Sequence, residues 1–189
     1  MSSTRAFSTA APVDAERELL VRCQRYEPEA LTDLFDRFHD EVFGFLMART
    51  ADVSLAEELT RETFIRALEL FPKQRNLGAG LGPWLLRVAN GRLADRRRPP
   101  GRPRPADALP ALPEGEGPEA EAARLRAALD LLPVDQQEVL SLRLLAHLPI
   151  NIVARALHRG PRATRGLQTR GLKMLARLLA PAEDPVMGS

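Results

Sequence analysis

The chain has 189 residues, 44% of them hydrophobic and 28% charged, with a formal net charge of +2. That length suits one or two small domains, and the mix is that of a soluble globular chain, neither disordered nor membrane-embedded. No apolar run reaches the roughly 20 residues of a membrane span, the Ser/Thr/Ala-rich start lacks a signal-peptide core, and the single cysteine, Cys23, excludes an intramolecular disulfide and a cysteine-rich zinc site; together these point to the cytoplasm.

Residues 1–13 read as a disordered tail. Residues 14–98 read as a helical domain with breaks at Glu27-Pro28 and Ala51-Asp52. After Pro28, the residues Leu31, Leu34, Phe35, Phe38, Val42, Phe45 and Leu46 recur mostly at spacings of three and four, which predicts one apolar helix face. Leu55, Leu59, Phe64, Ala67 and Leu68 predict a second such face, with Ser54 and Glu57 spaced as a capping box and Pro72 marking the end. Cys23 lies in a helix of apolar periodicity and reads as a small core residue rather than a nucleophile. A Gly-rich loop over residues 73–83 precedes a helix carrying Trp84, Leu85, Val88, Ala89 and Leu93. That helix runs into Arg96-Arg97-Arg98 and stops at Pro99-Pro100. Seven prolines across residues 99–118 argue for a linker. Residues 119–181 form a second helical domain, followed by a short tail, 182–189. Within it Glu119 to Leu132 is helical, Pro133 starts the next helix, and a short helix from Pro149 to Leu157 ends in a tight break at His158–Gly160. Pro161 then takes the favoured first-turn position of a helix reaching Leu179. The fold class expected is all-α, two small helical domains joined by a flexible, Pro-rich tether.

Charge is unevenly distributed. Asp14 to Leu70 holds 14 acidic and 7 basic residues, Arg87 to Arg104 holds seven Arg and one acid, and Arg143 to Arg177 holds eight basic residues and no acid. An acidic run, Asp107 to Glu121, separates the two basic blocks. Such blocks fit nucleic-acid contact better than a merely solvated face. The last two helices add geometry: a short helix, a tight turn and a longer basic helix make a helix-turn-helix. Ile150, Val153, Ala154 and Leu157 would face inward, and His158 falls where the turn needs a positive φ. Thr164, Leu167, Gly171, Leu172 and Leu175 would form the buried stripe of the long helix, leaving Arg162, Arg165, Thr169, Arg170 and Lys173 for a DNA groove. Trp84 reads mainly as core packing, with the Gly-rich loop before it able to leave room for a base. Catalysis finds no support. His39, His147 and His158 make no metal-ligand spacing, and the Gly-rich loop has neither a preceding strand nor a phosphate-loop Lys. No catalytic residue, metal or cofactor is expected.

Three segments then acquire a common meaning. Leu55 to Ala67 resembles region 2.2 of the bacterial RNA polymerase sigma-70 family. Trp84 to Asp95 resembles regions 2.3 and 2.4, and Leu132 to Arg143 resembles the opening of region 4, with the helix-turn-helix following at the family's distance. The resemblance is to the small extracytoplasmic-function (ECF) group. It implies a transcription initiation factor whose partners are core RNA polymerase, through the β′ clamp helices and β flap, and promoter DNA. An anti-sigma protein is a further candidate partner, and no membrane is implied. By the same resemblance Glu57, Glu58, Leu59, Arg61, Glu62 and Phe64 would contact polymerase. Asn76, Trp84 (mainly structural), Arg87, Asn90, Gly91, Arg92, Arg96 and Arg97 would serve the −10 element, with a base pocket bordered by residues 76–82. Arg165 and Thr169 would contact −35 bases, and Arg162, Arg170 and Lys173 its phosphates. Gly91 and Leu167 stand where the family carries Asn and Arg. Two other readings stay open: a stand-alone helix-turn-helix regulator, and a degenerate sigma-like protein that docks on polymerase without melting DNA.

Overall fold

A computed structural model of the chain describes residues 13–74, 77, 79–97 and 112–180. Every regular element among them is helical: α1 (Val13–Gln24), α2 (Pro28–Thr50), α3 (Val53–Leu70), a 3-10 turn (Phe71–Lys73), α4 (Leu81–Arg97), α5 (Pro118–Asp130), α6 (Val134–Leu144), α7 (Ile150–Ala156) and α8 (Pro161–Leu179). The expected tails, apart from Val13, and most of the Pro-rich segment lie outside the described residues, as does Asn76. Leu112 to Gly117 carries no regular structure.

The breaks follow local chemistry. Tyr26 and Ala51 adopt φ of 56° and 53°, turning the chain where α1 and α2 end, and Pro28 opens α2 from a position that needs no N–H donor. Asp52 caps α3, its carboxylate accepting from the Leu55 N–H at 3.0 Å. This corrects the expected Ser54–Glu57 box: the helix starts one residue before Ser54, and the carboxylate already meets its exposed N–H groups. His158 takes φ 52°, as its place in the turn demanded, and so does His147 at 51°.

α2, α3 and α4 pack together, with α1 against α2. Their core holds Leu34, Phe38, Val42, Leu46, Leu59, Ala67, Leu81, Leu85 and Trp84, whose ring stacks on Phe71 at 5.3 Å between centroids. Cys23 is buried here too, donating to the Ala30 carbonyl at 3.4 Å, and burial pushes its thiol up to about 11. Phe35 departs from the expected face; it is 42% exposed and leans on Phe64 and His39 at the surface.

α4 is apolar around most of its circumference. Leu81, Trp84, Leu85, Leu86, Val88, Ala89 and Leu93 are all buried, at roughly 1.5–3 kcal/mol of stabilisation for each large side chain. A helix of that kind needs cover on more than one side. It finds cover on α2 and α3 and also on α6 and α7. One apolar cluster therefore runs from α1–α4 into Val139, Leu142, Ala146, Leu148, Val153 and Leu167. A second joins α5, α6 and α8 through Ala128, Leu129, Leu132, Leu140 and Leu175. α8 crosses α6 closely at Gly171, where an added Cβ would lie 2.8 Å from Leu140 Cδ1. Its expected stripe is buried at Thr164, Leu167, Gly171 and Leu175. Leu172 is the exception, 42% exposed, because it falls one position round from Gly171 and away from α6.

Candidate nucleic-acid interface

Two surfaces carry the arginine-rich sequence. On α8, Arg162, Arg165, Thr169, Arg170 and Lys173 are all exposed. Their spacing follows from the opposite stripe, which is committed to packing against α6 and α7. None of the four cations makes an ion pair with a described residue. Gly160 precedes the helix without a side-chain cap and no acid lies in the first turn, so the helix presents an uncancelled positive end beside these side chains.

The basic end of α4 is built differently. Arg92 donates to Glu62 Oε2 at 3.1 Å and approaches Asp95 at 3.4 Å. Arg96 pairs with Glu58 and with Glu62 at 3.4 Å. Arg97 pairs with Asp130 and donates to the Arg49 carbonyl at 3.0 Å. Arg87 keeps a buried Nε without a partner and lies near Glu138 of α6. Burial pushes the Glu138 carboxyl up, with Arg159 and Arg87 acting against that. Trp84 is fully buried, its Nε1 unpartnered. Asn90 is 2% exposed with Oδ1 unpartnered, so this arrangement does not present it to a ligand. Gly91 has open space where a Cβ would be.

The start of α4 is clamped by acids. Glu16 of α1 accepts from the Leu81 N–H at 2.8 Å, and Arg37 holds its other oxygen at 3.5 Å. Gly80 permits this with φ 102°, and an added Cβ there would lie 2.7 Å from Glu16 Oε2. Glu41 sits against Gly82, and burial, with the Glu16 charge second, pushes its carboxyl up to about 7. Neither acid was singled out from the sequence.

On α3, Glu57 and Arg61 are exposed, while Glu58 and Glu62 are partly exposed and engaged by the α4 arginines. Leu59 is buried, and Phe64 nearly so, packed on Phe35. The α3 acids and the α4 bases thus form one network. Two further residues matter and were missed. Arg49, at the end of α2, is buried and donates to Asp130 Oδ1 at 2.9 Å, and Gln137 donates to the same oxygen at 3.0 Å. A signal was present: Phe38, Val42, Phe45 and Arg49 run at spacings of four, three and four, which puts a charge at a core register position.

The chain is similar to known proteins. Residues 34–102 match the sigma-70 region 2 family. The ECF RNA polymerase sigma factor BldN of Streptomyces coelicolor is 34% identical over 182 residues, covering 90% of this chain and 69% of that protein. This chain belongs to the ECF sigma factors of the sigma-70 family. The ECF sigma factor SigD of Mycobacterium tuberculosis is 29% identical over 168 residues, covering 82% of this chain and 79% of that one. Among solved structures, CnrH in complex with the cytosolic domain of CnrY is similar at a TM-score of 0.60 and 20% identity, over 88% of this chain and 97% of that one. The sigma factor RpoE in complex with the anti-sigma factor NepR from Bartonella quintana is similar at 0.52 and 17%, over 78% and 95%. These two likenesses concern the fold. ECF sigma factors are transcription initiation factors, and no helix among the described residues is long and apolar enough to cross a membrane.

Proposed function

We propose that this sigma factor directs core RNA polymerase to promoters with two separate DNA-reading surfaces. Residues 14–98 form the domain that binds the polymerase β′ clamp helices through Glu57, Glu58, Arg61 and Glu62 and opens the −10 element with the basic end of α4. Residues 119–181 form a helix-turn-helix domain, with α7 and α8 as its two helices and the β flap as its polymerase contact. Arg165 and Thr169 read −35 bases in the major groove. Arg162, Arg170 and Lys173 hold phosphates, and the positive start of α8 adds to their pull. An anti-sigma protein is a further candidate partner, supported by the likeness to a sigma factor solved in complex with one.

The observation that carries this reading is the basic face of α8, which meets no acid among the described residues and is set opposite a stripe committed to the core. A run-off transcription assay tests it. Core polymerase from a related bacterium, this protein and a genomic promoter library should yield discrete RNA 5′ ends sharing two upstream elements. Arg165→Ala should abolish starts that depend on the −35 element. The reading fails if core polymerase does not bind the chain. A second reading, docking on polymerase without melting, is favoured by the burial of Asn90 and the missing side chain at Gly91. It predicts binding to core polymerase with no starts.

A further inference from the structure

The turn between α7 and α8 is fixed along its backbone. His158 donates its N–H to the Arg155 carbonyl at 3.1 Å, and Arg159 donates to the Ala154 carbonyl at 2.8 Å. With His158 at φ 52°, these two bonds close α7 as a left-handed residue after a helix does. On the far side the Thr164 N–H and hydroxyl both return to the Gly160 carbonyl, at 3.0 and 3.1 Å, and start α8. Arg159 therefore stands between two pinned helix ends. Its side chain is held as well. Arg159 Nη2 donates to Asp135 Oδ1, in the first turn of α6, at 2.7 Å. Among the described residues it is the one basic residue from Arg143 to Arg177 that makes an ion pair. Arg162, Arg165, Arg170 and Lys173 must each be ordered when they meet a ligand, whereas Arg159 is ordered already. The pair is open to water, with 36% and 52% of the two side chains exposed, so folding gains little from it. It also uses one of the five guanidinium N–H donors, and the others meet no acceptor among the described residues.

We propose that Arg159 is a further phosphate contact of the −35 surface, and that Asp135 is a positioning residue that fixes its guanidinium at the entrance of α8 before DNA arrives. This rests on the reading of α7 and α8 as the DNA-binding pair. The guanidinium fork offers donors along more than one edge, so Asp135 keeps one edge while a phosphate takes another. Phosphate contacts set the register of a groove helix. One fixed at the first turn of α8 sets the register in which Arg165 and Thr169 enter. The negative charge of Asp135 opposes DNA. The ordering it supplies outweighs that, because the charge is shared with Arg159 and with the positive start of α6.

The test titrates the full-length protein against a fluorescein-labelled duplex DNA of mixed sequence at several salt concentrations. Arg159→Ala should weaken binding about fivefold at low salt and lower the salt slope by about 0.9, the share of one phosphate contact. Arg159→Lys should restore the slope but recover only part of the affinity, since an ammonium lacks the planar fork. Asp135→Ala should weaken binding about threefold although it removes a negative charge. The same change made in the Arg159→Ala chain should leave affinity unchanged or raise it. Urea midpoints of all four variants should stay close to the parent's, because the pair is exposed. The proposal is overturned if Arg159→Ala leaves the slope unchanged, if Asp135→Ala tightens binding in the parent, or if Asp135→Ala weakens binding equally in both backgrounds. Arg170→Ala tests the reading beneath it. A slope lowered there and not at Arg159 overturns this proposal alone. A parent chain without salt-dependent binding, or a slope unmoved by either change, overturns the reading of α8 with it.

Discussion

α4 and α8 are both long, arginine-rich helices, and they spend their arginines in opposite ways. In α4 each described guanidinium is matched by an acid, a carbonyl or a covering helix. In α8 the basic face meets no acid among the described residues. Their cores differ in the same sense. α4 is buried nearly all round and crosses two groups of helices, whereas α8 buries one stripe. Even their starts differ: α4 is clamped by Glu16, while α8 begins at Pro161 with no acid in its first turn. Composition alone would call both helices DNA-binding. Their pairing separates a basic face that meets no acid among the described residues from one that is matched by acids.

The largest expected effect breaks the comparison at the core. Trp84→Ala removes a fully buried ring stacked on Phe71 and should destabilise the chain by about 3–5 kcal/mol. Leu167→Ala, on the thinner stripe of α8, should cost about 2 kcal/mol, since that site borders solvent and can collapse. Urea unfolding of both variants checks the ranking; equal costs would mean that α4 is no more of a keystone than α8.

Next in size is a pH effect at the clamped start of α4. The folded Glu41 carboxyl titrates near 7 against an ordinary 4.5, because of burial first and the Glu16 charge second, with Arg37 opposing. Between those values the folded chain holds a proton that the unfolded chain has released. Stability therefore falls as pH rises through that window, by about 1–2 kcal/mol after allowing for partial exposure. Glu41→Gln should remove this loss and leave the chain more stable than the parent at pH about 8. Denaturation midpoints across the window measure it. α8 has no acid at its start, so changes there should leave the slope untouched.

Much of this was legible in the sequence, for identifiable reasons. The periodicity of α2 and α3, the breaks at Pro28 and Ala51, the start of α8 at Pro161 and the positive φ of His158 are local, and local rules read them. Ser54 looked the better cap by its spacing to Glu57, but Asp52 lay closer to the exposed N–H groups and won. Phe35 and Leu172 fit an apolar period yet sit at the edges of their faces, where period alone does not decide burial. What stayed hidden is long-range. Arg49 meets Asp130 across 81 residues and a Pro-rich segment, and the Glu16 clamp on Leu81 spans 65. The unbroken apolar girth of α4 already required a second set of partners, but not which ones.

The smallest expected effect sharpens the comparison most. Arg165 is exposed on α8, makes no ion pair with a described residue, and lies outside the packed stripe. Its removal should leave folding stability within about 0.5 kcal/mol of the parent. It should still weaken the reading of a −35 duplex by about 1–3 kcal/mol if the side chain reaches a base edge, with specificity relaxed at one base position. If it reaches only phosphate, binding should weaken evenly across sequences and the salt slope should drop by about 1. Arg96→Ala offers the contrast. It releases Glu58 and one oxygen of Glu62, whose other oxygen Arg92 still holds, so the binding change mixes the lost contact with newly exposed acid charge that repels DNA. Titrating duplex DNA against both variants at several salt concentrations distinguishes them. A clean slope change at Arg165 and a compound one at Arg96 would mean that pairing, and not arginine content, decides which helix is ready for DNA. The same simple slope change in both would mean that the acids of α3 leave α4 as open as α8.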